Sequence, residues 1–173
     1  MGKIVVYSHK DFNKECERIG VCDKNVESME NMAFIDIVCT KECQKLFEND
    51  ISTHYFMEEH PNVLLLEFED IEEDEVCEGI QLKAMSREQA IKAVDFIDSN
   101  LGKDIMVCCI AGKSRSQAFY RFVTDFYMST YKECYENKKN PCITPNVDVL
   151  AKLKNAYALK HFEMSGMKLD FQF

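Results

Sequence analysis

The sequence predicts a single α/β domain in which helices cover both faces of a central sheet of four or five strands, most of them parallel. Four short apolar runs rich in Ile, Val and Phe are typical of buried strands, and segments with helical periodicity separate them. Strands that alternate with helices favour a parallel sheet. The 173 residues contain no repeat, low-complexity tract or linker, so residues 1–173 are predicted to form one domain.

The predicted strands occupy residues 3–7, 33–38, 63–68 and 105–109. Each is a nearly continuous apolar run, which indicates burial on both sides of the sheet. In open α/β sheets, ligands bind beyond the carboxyl ends of the strands. The segment that follows the fourth strand is therefore a candidate binding site.

The clearest predicted helix begins after Ser86, because the Ser86 hydroxyl can cap it while Gln89 reaches back to complete a capping box. Gly102 is a natural stop for this helix. The residues predicted to face inward are Ala90, Ile91, Val94 and Ile97.

Two further helices are predicted in the last third of the sequence. One begins at about Ser114, and the other follows Pro145 with Asn146 as its cap. Both carry apolar residues at i, i+3 and i+4 spacing, which favours core packing over cofactor contacts. Their inward residues are Ala118, Phe119, Phe122, Val123, Phe126 and Tyr127 on the first, and Val149, Leu150, Leu153 and Tyr157 on the second.

The formal net charge is −9, and acidic residues are concentrated in residues 67–75. This balance predicts neither a nucleic-acid nor a membrane partner, because both need a basic patch. The sequence has no apolar run of eighteen residues and no signal peptide, so we expect a cytoplasmic protein. Any anionic substrate must meet a local positive pocket.

The chain contains nine cysteines, which here indicates a reducing compartment rather than a disulfide framework. Cys39 and Cys43 could be combined with Cys108 and Cys109 as zinc ligands. Their spacing does not match a zinc knuckle, and no histidine is close in sequence. We therefore predict no metal and no other cofactor, and interpret most of the cysteines as small core residues.

Residues 105–116, IMVCCIAGKSRS, predict a strand, a tight loop and a helix in succession. Cys109 and Arg115 bracket five residues, a spacing that is a weak signal by itself in a chain with nine cysteines. The context strengthens it. Gly112 lies in mid-loop, where the backbone can turn without a Cβ, and Ser116 follows the arginine.

This arrangement can bind a phosphate group and activate a thiol. The loop N–H groups can form an anion nest at the positive end of the helix dipole, and Arg115 can grip two phosphate oxygens in a bidentate fork. The same field favours the Cys109 thiolate, which can attack phosphorus to form a phosphocysteine that Ser116 helps to leave. The predicted substrate-binding residues are Ile110, Ala111, Gly112, Lys113, Ser114 and Arg115.

The loop resembles the His-Cys-x-x-Gly-x-x-Arg-Ser/Thr motif of protein-tyrosine and dual-specificity phosphatases, matched at Cys109, Gly112, Arg115 and Ser116. Small microbial and viral members are similar over residues 63–71, 86–101 and 141–157, so that the resemblance covers most of the chain and is weakest over the first thirty residues. It implies a metal-independent hydrolase of phosphotyrosine, and also of phosphoserine and phosphothreonine, on protein substrates. The short chain lacks the segments that build a deep tyrosine-selective cleft, which favours dual specificity.

The resemblance also implies that Asp70 is the general acid, which protonates the leaving oxygen and then activates water. On the residues alone, several carboxylates of the same acidic run remain competitors. These competitors are Glu69, Glu72, Glu73 and Asp74.

The chain departs from the motif at Cys108, which stands where the family has histidine. That histidine helps to hold the loop and to favour the thiolate, so a slower enzyme is expected. We interpret Cys108 as a buried strand residue. Cys108 and Cys43 are also the two candidates for a thiol that rescues an oxidised Cys109 as a disulfide.

Other functions remain open. Lys113 adds positive charge to the loop and resembles phosphoinositide- and polyphosphate-directed phosphatases. A phosphoprotein-binding module would use the same loop without turnover, and arsenate-reductase or sulfur-transfer enzymes also use a cysteine in an anion-binding loop. Ser116 and the upstream acid favour a phosphatase over that last class. A Walker-type nucleotide loop is set aside because Val107 occupies the position of its first glycine.

The four histidines, His9, His54, His60 and His161, belong to no motif. We interpret each as a surface or core packing residue and assign it no role. The expected partner is a phosphorylated protein, and a monomer is the working expectation for the oligomeric state.

Overall fold

The computed structural model describes residues 2–44, 53–132 and 144–163. The strands are β1 (Gly2–Ser8), β2 (Met32–Val38), β3 (Val63–Glu67), β4 (Glu75–Cys77), β5 (Ile80–Leu82), β6 (Asp104–Cys109) and β7 (Tyr131–Lys132). The helices are α1 (His9–Ile19), α2 (Lys41–Gln44), α3 (Arg87–Ser99), α4 (Arg115–Phe126) and α5 (Val147–Glu163), with a 3₁₀ turn at Val26–Ser28.

Five of the strands form one sheet in the order β3-β2-β6-β1-β7, and each neighbouring pair is parallel. The predicted α/β class and parallel sheet are confirmed. The short strand β7, which the apolar pattern does not indicate, is the fifth member. Strands β4 and β5 form a separate antiparallel hairpin at the end of the acidic stretch.

The sheet separates two hydrophobic cores, which confirms the prediction of helices on both faces. One core packs the sheet against α3, α4 and α5 and contains Cys109. The other packs it against α1 and an aromatic group that includes Phe12, Phe34 and Phe56, and it contains Cys108. The apolar strands are buried on both sides for this reason.

Helix α3 begins as predicted and ends earlier than predicted. The Ser86 hydroxyl accepts from the Gln89 N–H, and the Gln89 side chain accepts from the Ser86 N–H, so the capping box is present. The last helical residue is Ser99. The backbone N–H of Asn100 caps the helix by donating hydrogen bonds to the Phe96 and Ile97 carbonyls. Gly102 instead lies in the turn before β6, with a φ of +85°.

Two residues predicted to face inward lie at the surface. Ile91 is 38% exposed, whereas Ala93 is fully buried, because the helical repeat turns position 93 toward the sheet. Phe126, at the end of α4, is 36% exposed. The Asn146 cap of α5 is confirmed, since its Oδ1 accepts from the Val149 N–H at 2.9 Å. The start of the 141–157 resemblance falls in residues 141–143, outside the described residues.

None of the helices within the described ranges combines the length and the apolar composition needed to cross a bilayer.

Candidate active site

The Cys109 loop (residues 109–116) connects the central strand β6 to α4 at the carboxyl end of the sheet. Strands β2 and β1 flank β6, so their carboxyl ends meet the loop on both sides. The His9 N–H donates to the Ile110 carbonyl at 3.3 Å, and the Gln117 side chain donates to the Gly112 carbonyl at 3.1 Å. These two bonds fix the path of the loop over the end of the sheet.

Gly112 is required at the tightest point of the loop. Its φ is +67°, a region that favours glycine, and a Cβ at this position would lie 2.7 Å from the Ser8 nitrogen and the Tyr7 carbonyl carbon. Its N–H donates to the Cys109 carbonyl at 3.2 Å and closes the turn. The loop therefore packs directly on the backbone where β1 passes into α1.

Cys109 and Ser116 lie next to each other beneath the loop. The Cys109 Sγ and the Ser116 Oγ are 3.1 Å apart, and the two residues are 3% and 0% exposed. Ser116 is in the first turn of α4, where unpaired N–H groups and the helix dipole favour negative charge. A thiolate at Cys109 would thus have a hydroxyl donor within reach.

Arg115 is buried, with 4% exposure, and is anchored by one end of its guanidinium group. Nη1 donates to the Phe68 carbonyl at 2.5 Å, to the Val38 carbonyl at 3.4 Å and to the Cys39 Sγ at 3.7 Å. Among the described residues, Nε has no hydrogen-bond partner although it is buried. A buried cation with an unused donor is a local site for an anion in a chain of net charge −9.

Asp70 contacts the Cys109 loop directly. Its Oδ1 accepts from the Ser114 hydroxyl at 2.8 Å and from the Asn146 side-chain amide at 2.8 Å. Both Asp70 and Lys113 are exposed and line a surface cavity of about 470 Å³. The other residues of that cavity are Glu72, Ser114, Thr144, Pro145, Asn146 and Val147.

Two of the competing carboxylates have other partners. Glu69 is 3% exposed and accepts from the Thr40 N–H, the Thr40 hydroxyl and the Lys83 N–H. Asp74 accepts from the Ala84 N–H at 2.9 Å. Of these three acids, Asp70 is the one bonded to a residue of the loop.

Cys108 faces the opposite side of the sheet from Cys109. It is fully buried, which confirms its interpretation as a buried strand residue, and its thiol donates to the Asp36 Oδ1 at 3.2 Å. Burial and the neighbouring Asp36 carboxylate raise the pKa of the Cys108 thiol well above its usual value. Because consecutive strand residues point to opposite faces, Cys108 is poorly placed to form a disulfide with Cys109.

The Asp36 cluster consists of Asp36, Cys108, His9 and His54, and sequence reasoning missed it. A His9 ring nitrogen lies 3.7 Å and a His54 ring nitrogen 3.4 Å from the fully buried carboxylate. Burial acts to raise the pKa of Asp36, but hydrogen bonds and charge from His54 and the Tyr55 amide hold it below its ordinary value. His9 is buried and His54 is partly buried, so both pack inside the fold as interpreted, and the sequence did not indicate that they face Asp36.

The two remaining histidines also have acidic partners. His60 contacts Asp23 and Glu27 at 3.3 and 3.1 Å, and His161 contacts Asp98 at 3.2 Å. All of these acidic partners are distant from the histidines in sequence, so no local motif could indicate the contacts.

The chain matches no protein-family model, and no curated protein or solved structure is significantly similar to it.

Proposed function

We propose that this chain is a cysteine-dependent phosphatase that hydrolyses phosphotyrosine, and also phosphoserine and phosphothreonine, on proteins. The observation that carries the proposal is the contact of 3.1 Å between the Cys109 sulfur and the Ser116 hydroxyl, in a loop whose buried Arg115 has an Nε without a hydrogen-bond partner among the described residues. A nucleophilic sulfur, a hydroxyl donor and a buried cation with a free donor are the groups that phosphoryl transfer to a thiol needs.

In the first step, the Cys109 thiolate attacks phosphorus. The S–P bond forms, the bond from phosphorus to the ester oxygen breaks, and a protonated Asp70 gives its proton to that oxygen. Arg115 and the loop amides bind the phosphoryl oxygens, on which negative charge is concentrated. The products of this step are the free hydroxyl of the substrate and a phosphocysteine.

In the second step, water hydrolyses the phosphocysteine. The Asp70 carboxylate takes a proton from water, the water oxygen bonds to phosphorus, and the S–P bond breaks. Ser116 donates a hydrogen bond to the departing thiolate. Phosphate is released, and Cys109 and Asp70 return to their starting protonation states.

The bonding of Asp70 supports catalysis over simple binding. A module that only holds phosphate gains nothing from a carboxylate beside its loop, because like charges repel. The hydrogen bonds from Ser114 and Asn146 hold this carboxylate against the loop in spite of that cost. An acid in this position is useful when it exchanges a proton with the substrate or with water.

The test is hydrolysis of p-nitrophenyl phosphate in reducing buffer with EDTA, followed by phosphotyrosine and phosphoserine peptides. Cys109→Ser should abolish turnover. Asp70→Asn, which can keep the contacts to Ser114 and Asn146, should lower kcat by about 100-fold, the usual contribution of a general acid. Asp74→Asn is the matched control, since Asp74 is exposed in the same acidic run but bonds to Ala84, and its kcat should stay at the wild-type value.

Absence of turnover in the fresh, reduced wild-type protein would overturn the proposal. Phosphopeptide binding without turnover would then favour the binding module. Equal kcat values for Asp70→Asn and Asp74→Asn would remove Asp70 as the acid. A strong preference for inositol phosphates or polyphosphate over phosphopeptides would mean that the loop, with Lys113, binds a different class of substrate.

A further inference from the structure

Outside the residues assigned to phosphoryl transfer, two thiols and a carboxylate converge at the carboxyl ends of β2 and β3. The sulfur atoms of Cys39 and Cys43 and a carboxylate oxygen of Glu69 all lie within 4.8 Å of one another. Cys43 and Glu69 are 4% and 3% exposed, and Cys39 is partly exposed. This Cys39 cluster (Cys39, Cys43, Glu69) includes none of the groups that act in the proposed hydrolysis.

The fold explains why these residues meet. Cys39 directly follows β2, and Cys43 lies on α2, where the Cys43 N–H donates to the Thr40 hydroxyl at 3.3 Å. Glu69 follows β3, the parallel neighbour of β2, so it arrives at the same edge of the sheet. The sequence pairs Cys39 with Cys43, but the fold supplies Glu69 as the third group instead of Cys108 and Cys109.

We propose that the Cys39 cluster binds a thiophilic divalent cation, for which zinc is the best match, with a water molecule completing the tetrahedron. Thiolate and carboxylate ligands are both common for zinc, and three protein ligands with one open position are a recurrent arrangement. Tetrahedral zinc with Zn–S bonds of about 2.3 Å brings two sulfurs to about 3.8 Å from each other. The ligand atoms need to move by about 1 Å or less to reach that geometry.

The groups around Glu69 prepare its carboxylate for a cation. Oε1 accepts two bonds, from the Thr40 N–H and hydroxyl, and Oε2 accepts one, from the Lys83 N–H at 2.6 Å. An ionised oxygen can accept about two bonds, so Oε2 retains capacity for a metal. Metal-binding carboxylates are commonly held in position by hydrogen bonds of this kind.

The charges balance when zinc is bound. Zinc displaces the protons of both thiols to solvent, and two thiolates, one carboxylate and Zn²⁺ together carry a net charge of −1. The Arg115 Nη1, 3.7 Å from the Cys39 Sγ, supplies the compensating positive charge. Such a site would join the ends of β2 and β3 immediately behind the guanidinium group of Arg115.

The experiment measures zinc binding to the full chain carrying Cys109→Ser, which removes the loop thiol, in a phosphine reductant. Zinc is titrated in competition with a chromophoric chelator, and cobalt is used as a spectroscopic substitute whose charge-transfer band reports thiolate ligation. We expect one equivalent of zinc with a Kd below about 1 μM. Adding Cys39→Ser, Cys43→Ser or Glu69→Gln should weaken binding by about 100-fold or more, because each removes a direct ligand.

Cys22→Ser is the matched control, because Cys22 is an exposed free cysteine outside the cluster, and it should leave the zinc affinity unchanged. Circular dichroism establishes that each variant is folded. Cys39 is partly exposed, so Cys39→Ser tests the site even if the buried Cys43→Ser protein is unfolded. Less than one equivalent bound by the folded parent, or equal affinity in Cys39→Ser, would overturn the proposal.

Discussion

Cys108 and Cys109 are neighbours in β6, yet their surroundings are opposite in chemical character. The Cys109 sulfur lies beside a hydroxyl at the positive end of α4, whereas the Cys108 thiol donates to a buried carboxylate in the other core. The Cys109 sulfur has a hydroxyl group 3.1 Å away, whereas burial and the Asp36 carboxylate raise the pKa of the Cys108 thiol. The polar surroundings of these two cysteines therefore depend on which face of the sheet each one points to.

The Cys109 loop and the Asp36 cluster also differ in how they are assembled. The loop is one continuous stretch of eight residues, while the cluster collects side chains from β2, α1, β6 and the segment near residue 54. The two regions touch through the backbone, since the His9 N–H donates to the Ile110 carbonyl. The backbone of His9 thus links the Asp36 cluster to the Cys109 loop.

The largest effect should come from closing the space at Gly112. In Gly112→Ala the new Cβ meets the backbone of Tyr7 and Ser8 at 2.7 Å in a left-handed conformation, so the loop or β1 must shift. We expect a loss of about 3 kcal/mol or more in the free energy of unfolding, together with loss of the proposed phosphatase activity. Urea unfolding and p-nitrophenyl phosphate hydrolysis measure the two effects.

Gly102→Ala is the control for conformation alone. Gly102 also has a positive φ, of +85°, but a Cβ there meets nothing within 4 Å. It should cost about 1 kcal/mol and leave turnover intact. Similar losses in the two variants would mean that the close approach of the loop to β1 does not matter.

The next effect should come from the Asp36 cluster. Asp36→Ala leaves the Tyr55 N–H and the Cys108 thiol without their acceptor in a buried site, which should cost about 2–3 kcal/mol of unfolding free energy. Asp36→Asn keeps an acceptor and should cost less. Because no Asp36 atom is bonded to the loop among the described residues, the folded fraction of either variant should retain turnover in the same phosphatase assay.

A fall in kcat for folded Asp36→Asn would instead show that the two regions are coupled. The Asp36 cluster would then affect turnover as well as stability.

The Cys109 loop could be predicted from sequence because its parts are local. Within a few residues, the sequence has a strand, a glycine, an arginine and the beginning of a helix. These features leave the backbone between them little freedom. The order of the other strands was not needed for that prediction. The same holds for the capping box at Ser86 and the Asn146 cap, which depend on residues three positions apart.

The Asp36 cluster could not be predicted because it depends on sheet order. Asp36 stands inside an apolar run, and a charged residue in a buried strand must find partners. That signal was present in the sequence. The partners are determined by the sheet order, in which β2 lies beside β6 and β6 lies beside β1, the strand that leads into α1. No local sequence pattern indicates this order. The burial of Glu69 likewise depends on the pairing of β3 with β2, which no local pattern indicates.

The smallest effect concerns the pH dependence of stability. Burial lowers the pKa of His9 below 6.5, its value in an unfolded chain, and the opposing Asp36 charge does not reverse this. The unfolded chain then binds more protons, so the contribution of His9 is fully present above pH 6.5 and is lost as the pH falls through the folded pKa. Asp36, whose pKa is also lowered, adds its own loss below its ordinary value of 3.8.

His60 should behave in the opposite way and is the matched comparison. The hydrogen bond to Glu27 raises the pKa of His60, so its contribution is fully present below pH 6.5 and is lost as the pH rises through the folded pKa. Urea unfolding at about pH 5.5 and about pH 8 measures both. His9→Gln should reduce the loss of stability on acidification, and His60→Gln should increase it. A His9→Gln protein with the pH dependence of the wild type would mean that His9 is not held neutral beside Asp36.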